Sequence, residues 1–222
     1  MYRVILCAAA ALLVATTVQS AAAVDPAILD LHRLCRRGTG DEAVAACSRL
    51  LALNPNQASS YSRRGIAYYN KGDYDHAIAD ANEAIRLDPK GAIVYVLRGV
   101  AYFGKGEYDQ AISDYVEAIQ LNPKLFMAYH NLSDAYNHKG DHDRAIAAAN
   151  ETIRLDPKSA LAYCHRGEAY EAKNDPDHAI ADFDQALKLD PSLAAARSGR
   201  ERVQALLAKR SDRDAQTNAP AR

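Results

Sequence analysis

The fold class this sequence predicts is all-α: a right-handed superhelical solenoid of stacked helix-turn-helix repeats. Three observations carry that expectation. Segments 58–91, 92–125, 126–159 and 160–193 align without a gap at a period of 34 residues. Each is divided at fixed places, by a turn after its first half and by a proline near its end. The composition, rich in Ala and with 13 Tyr, 3 Phe and no Trp, suits closely packed helices.

At the N-terminus, residues 1–23 read as a secretory signal. Arg3 is followed by an apolar run from Val4 to Val18, and Ala21-Ala22-Ala23 supplies the small residues before a cut at Val24. The run is short for a membrane-spanning helix, although an uncleaved anchor is the competing reading. Export to the periplasm or the medium is therefore expected, with no stable membrane insertion once the signal is removed. No other segment of the sequence is apolar enough to span a bilayer.

Residues 24–57 form a degenerate helical pair with Ala43, Leu53 and Pro55 in phase with the repeats. Cys35 and Cys47 fall on its two antiparallel helices near the turn at Arg37 to Asp41. An oxidising compartment would favour a bridge between them; two buried thiols are the other reading. Cys164 is left over.

The four full copies share nine invariant columns. Among them are Tyr61, Tyr95, Tyr129 and Tyr163; Lys71, Lys105, Lys139 and Lys173; Asp75, Asp109, Asp143 and Asp177; and Pro89, Pro123, Pro157 and Pro191. In the first copy one helix runs from about Ala58 to Lys71 and Gly72 ends it. Asp73 caps a second helix that ends near Leu87, before Pro89. Gly65, Gly99 and Gly167 mark close approach of the two helices, with Ala77 and Ala84 expected opposite. A single pair cannot cover its own apolar faces, so the copies must stack. Arg64, Arg98 and Arg166 occur with Asp80, Asp114 and Asp182, whereas copy three has Leu132 and Ala148. That coincidence suggests an ion pair within each copy, exchanged for an apolar contact in the third; two independent surface changes are the alternative. Residues 194–209 make a polar amphipathic capping helix, and 210–222 read as a disordered tail.

A 34-residue unit with Tyr61, Gly65, Tyr68, Ala77, Ala84 and Pro89 at these spacings resembles the tetratricopeptide repeat, and the chain resembles exported bacterial members of that family. The resemblance covers residues 58–193. Ala81 and Ala149 depart from the large aromatic retained as Tyr115 and Phe183, and Ser133 replaces the glycine of copy three. It implies that the first helices line a concave face along which a ligand peptide lies. That face would carry Ile66, Tyr69, Ile93, Val96, Val100, Phe103, Met127, His130, Asp134, Asn137, Leu161, Glu168 and Glu171, turning from apolar to acidic. The apolar stripe of copy two exceeds what one helix pair needs, so it meets either a ligand or another packed surface. Family members that grip a C-terminal carboxylate use Lys, Arg and Asn; here those places hold Ser62, Ile66, Leu97, Met127 and Asn131, and only the Asn fits.

Chemistry is sparse. There is no phosphate-cradling loop, zinc-protease motif or nucleophile elbow. Formal charge is -1, which gives no field for nucleic acid or an anionic membrane. No cofactor is expected. His130, Asp134 and His138 share one helix face and could hold a metal with Glu168 or His165, or simply line a polar groove. The expectation is a non-catalytic protein–protein interaction scaffold whose partner presents an apolar segment with a basic flank. The alternative is a metal- or ligand-binding protein or enzyme using the His130 stripe.

Overall fold

The computed structural model describes residues 25–217. The expected signal, residues 1–23, lies outside the described residues. Eleven helices follow one another: α1 (Pro26–Arg37), α2 (Gly40–Leu53), α3 (Ala58–Asn70), α4 (Tyr74–Leu87), α5 (Ala92–Gly104), α6 (Tyr108–Leu121), α7 (Phe126–Lys139), α8 (His142–Leu155), α9 (Ala160–Ala172), α10 (Pro176–Leu189) and α11 (Ala194–Thr217). No strand occurs among the described residues. The chain is an all-α superhelical solenoid of helix pairs.

Local sequence sets each pair. The Asp73 and Asp175 carboxylates accept from the backbone N–H of His76 and His178, satisfying first-turn donors of α4 and α10. Pro176 opens α10, where a missing N–H costs nothing. The residue after the first helix must turn left-handed: Gly72, Gly106 and Gly140 have φ of 76° to 78°, and Asn174 takes the same place with φ 62°.

Each helix packs on its sequence neighbour. The first helices of successive pairs also touch, α1 on α3, α3 on α5, α5 on α7, α7 on α9 and α9 on α11, whereas the second helices do not touch one another. The first helices therefore lie on the inside of the superhelix. One ladder explains two invariant columns. Lys105 Nζ lies 2.8 Å from Asp75 of the preceding copy, and Lys71–Asp41, Lys139–Asp109 and Lys173–Asp143 repeat the pair. Their exposure makes them markers of register rather than large sources of stability.

The Arg–Asp pairs within copies are present and bidentate. Arg98 Nε and Nη2 donate to Asp114 at 2.8 and 2.6 Å; Arg64–Asp80 and Arg166–Asp182 match. A third partner was not read from the sequence. The free guanidinium nitrogen reaches back one copy, to Ser48, Asn82 and Asn150. In copy three that position is Val116, which packs with buried Leu132 and Ala148. The polar triad is thus replaced as a unit.

Three expectations change. Ala84 does not face Gly65. It clusters with Val94 of the next copy, while Ala77 and Asp80 stand opposite the glycine. Val96 is 3% exposed, turned into the cluster around Tyr115, Ala128 and Leu132, and so is not part of the concave surface. The capping helix is longer than 194–209, running through eight residues assigned to a disordered tail. Arg210 donates to Asn174 at 2.5 Å, fastening that extension to copy four.

Candidate functional site: the concave face

Position nine of α3, α5, α7, α9 and α11 falls on the side of each helix turned towards the concave face. Along the array it holds Ile66, Val100, Asp134, Glu168 and finally Arg202 of α11. The surface therefore runs from apolar through acidic to basic.

The apolar half opens into a hollow of about 250 Å³ among α3, α4 and α5, lined by Gly65, Ile66, Tyr69, Ala77, Ala81, Leu97 and Val100. Its origin is a missing ring. In copy two the Tyr115 ring lies against Gly99, and a Cβ there would meet it at 2.6 Å. In copy four Phe183 packs on Gly167 in the same way, at 2.9 Å. Both aromatics are fully buried. Copy one has Ala81 at that position, and the space beside Gly65 is left open towards the groove. A shallower depression of about 440 Å³ continues from it past Ser62, Leu97 and Ile93. Ile66 and Ile93 are 40% and 58% exposed at its rim, and Met127 and Leu161 continue the exposed apolar line into copies three and four. Tyr69 is half-exposed and tilts against Tyr74. Phe103 is less available than expected, because its ring meets Tyr108 and His138 edge-on at 5.3 and 5.1 Å.

The second half is titratable and crowded. His130 and His165 stack across the α7–α9 seam with centroids 4.8 Å apart. Burial pushes both down to about 4, with His165 adding to the effect on His130 and His138 to the effect on His165. Burial raises Asp134 above the usual carboxylate range. It raises Glu168 too, with Asp134 adding to the effect. Cys164 is buried, its thiol pushed up to about 12 by burial and by Glu168. Asn137 donates to the His165 carbonyl at 2.8 Å, tying α7 to α9. Glu171 is not free acidity, since Arg202 binds it bidentately at 2.9 and 2.8 Å. Asp134 and Glu168 are the carboxylates left facing the groove without a Lys or Arg in bonding distance among the described residues; Asp134 has His138 at 3.6 Å, and Glu168 accepts from the Cys164 thiol at 3.8 Å.

The suspected metal stripe is not assembled. His138 stacks on Tyr108 and His130 on His165, and no group of three ligand-type side chains converges among the described residues. Cys35 and Cys47 form a disulfide, joining α1 to α2 with Cα atoms 4.8 Å apart. Cys47 occupies the same repeat position as Ala81, Tyr115 and Phe183. Sequence reading noted Ala81 as a departure but missed its consequence; the glycine–aromatic pairing in copies two and four was the available signal.

These features define a class, a helical-repeat scaffold with a continuous inner face. The tetratricopeptide repeat profile matches residues 33–92, 62–125 and 96–160, and a second profile of the same description matches 160–193. The chain belongs to the tetratricopeptide repeat family, whose fold is that of protein–protein interaction scaffolds. Among solved structures, MamA is 33% identical over 69% of this chain and 90% of that one, with a TM-score of 0.64. The first TPR of Spaghetti (RPAP3) bound to an HSP90 peptide is 27% identical over 55% of this chain and 96% of that one, TM-score 0.52. YrrB, described as a TPR protein with an unusual peptide-binding site, shares the fold at 20% identity, covering 79% and 86% of the two chains with TM-score 0.63. No curated relative matches.

Proposed function

We propose that this protein is a non-catalytic scaffold that holds an extended polypeptide segment against its concave face. The observation that carries the reading is the exposed apolar line Ile66, Ile93, Met127 and Leu161, continuous with a hollow on one side and with Asp134 and Glu168 on the other. A helix pair gains nothing by exposing such residues, whereas a bound segment buries them at about 25 cal/mol per Å². The acidic half favours a basic flank on the partner and rejects an acidic one. Peptide binding by the RPAP3 relative supports the class of ligand, although its acidic SRMEEVD peptide does not suit this surface.

The test is a displayed random-peptide selection against the purified protein, followed by binding to Ile93→Asp and Ile66→Asp. Selected peptides should lose affinity for both folded variants, because each places an unpaired charge in the contact. Equal binding to the variants would move the site off the concave face.

The reading extends to location: the protein is exported and works in the periplasm or outside the cell. Arg3, the Val4–Val18 run and Ala21-Ala22-Ala23 support this, as does the Cys35–Cys47 bridge, which suits an oxidising compartment. No described helix is long and apolar enough to cross a membrane. N-terminal sequencing of protein from its native host should begin at or near Val24; an intact Met1 would contradict cleavage.

A further inference from the structure

The hollow in copy one differs from the rest of the groove because it reaches into the interior of a helix pair. Its lining is almost wholly apolar, with Gly65, Ala77 and Ala81 at its base and Ile66, Leu97 and Val100 at its walls. A cavity of this kind is a costly feature if it stays empty, since the lining atoms lose their packing partners. At about 250 Å³ it exceeds the roughly 150 Å³ apolar cavity that admits a benzene ring. Nor is the space forced by the backbone, because the same position holds Tyr115 in copy two and Phe183 in copy four, each against its own glycine.

We infer that this hollow is an anchor pocket, taking one phenylalanine- or leucine-sized side chain of an extended peptide whose Lys or Arg, five or six residues away, meets Asp134 and Glu168. The inference rests on the concave-face reading above and specifies its ligand. Charge complementarity selects the basic residue: Glu171 is bound bidentately by Arg202, whereas Asp134 has His138 at 3.6 Å and Glu168 accepts from the Cys164 thiol at 3.8 Å, neither with a Lys or Arg in ion-pair distance among the described residues. The spacing comes from the architecture. The pocket lies between α3 and α5, and the carboxylates lie on α7 and α9. That is two interhelical steps, roughly 16–20 Å at 8–10 Å each. An extended chain advances about 3.3 Å per residue, which places the cation about five or six residues from the anchor.

The probe is a set of fluorescein-labelled 12-residue Gly/Ser peptides, each with one Phe and one Lys at separations from two to nine, read by fluorescence anisotropy on the full chain. Affinity should peak at a separation of five or six. Replacing the peptide's Phe by Ser should weaken binding to the unmodified protein at least tenfold, about 1.4 kcal/mol. Ala81→Phe supplies the ring that copies two and four already carry. It should keep the helical signal and melting temperature while abolishing the Phe preference. Asp134→Asn with Glu168→Gln should remove the dependence on Lys and leave the Phe dependence in place. If folded Ala81→Phe binds like the parent, or Phe→Ser in the peptide changes nothing, the anchor pocket is wrong. The concave-face reading survives that result if Ile93→Asp still weakens binding. Should none of the peptides bind at any separation, the anchor inference falls, and equal binding of selected peptides to Ile93→Asp removes the groove reading separately.

Discussion

Copies one and four follow the same 34-residue plan, yet one is hollow and the other is full. In copy four, Phe183 fills the angle between α9 and α10, touching Gly167 and also Gly199 of α11. In copy one, Ala81 leaves that angle open between Ile66 and Leu97. Beside its glycine the same partner position therefore does two jobs: with an aromatic it closes the core, and with Ala81 it opens a recess onto the concave face; in copy three, where Ser133 replaces the glycine, Ala149 is fully buried. Ahead of copy one the position is Cys47, and there the disulfide to Cys35 joins the two helices.

The largest expected effect separates the two copies. Phe183→Ala should destabilise the array by about 3–5 kcal/mol, through lost burial and an unfilled cavity. Ala81→Phe should cost nothing or add stability. Urea titrations of both variants measure this, and equal losses would mean that the two sites are not equivalent in packing. Next in size is the N-terminal pair. Cys35→Ser with Cys47→Ser opens a short loop and should cost on the order of ~3 kcal/mol, read as earlier hydrogen exchange in α1 and α2 than in α9 and α10.

The polar triad offers a sharper contrast between copies two and three. Arg98→Leu alone leaves the buried Asp114 carboxylate without its partner and should cost about 1–3 kcal/mol. Adding Asp114→Ala and Asn82→Val reproduces the Val116, Leu132 and Ala148 set of copy three and should recover most of the loss. Additive losses across the three changes would show that the groups do not act together.

The smallest effect is in pH. His130 and His165 are held at about 4 by burial, below the 6.5 of an unfolded imidazole. The unfolded chain therefore takes up protons first, and stability falls as pH drops from about 6.5 towards 4. Asp134 and Glu168 are shifted upward by burial, and their protonation works in the opposite sense as pH falls through their folded values. The two effects oppose one another, and the strongly depressed histidines set the sign, so a net loss of stability is expected between pH 7 and 5. His165→Gln should flatten the profile; an unchanged profile would place the proton uptake elsewhere.

Much of this was legible in the sequence because the repeat supplies its own internal comparison. Four aligned copies expose a missing aromatic at Ala81, a coupled change at Leu132 and Ala148, and a helix end at Gly72. What stayed hidden depends on the angle between helices. Val96 reads as one of the stripe Ile93, Val96, Val100 and Phe103, yet the tilt of α5 turns it against α6 and α7, where it is buried. Glu171 reads as acidic surface because its partner, Arg202, lies 31 residues away on the capping helix. The Lys–Asp ladder spans copies at a separation of 30 residues, so the invariance of its columns was visible and their contact was not. Ala81 shows a third limit: the substitution is plain in one dimension, but a hollow exists only once the surrounding helices are in place.

The central claim is that a peptide lies on the concave face, anchored in copy one. Methyl carbon–proton correlation spectra, recorded on the full chain as the Phe/Lys peptide of best spacing is added, test it most directly. The account predicts that the methyl signals of Ile66, Ala81, Leu97 and Val100 shift together, that Met127 follows, and that second-helix methyls such as Ile85 and Ile119 stay in place. Shifts centred on those second-helix methyls, with Ala81 and Val100 unmoved, would contradict it.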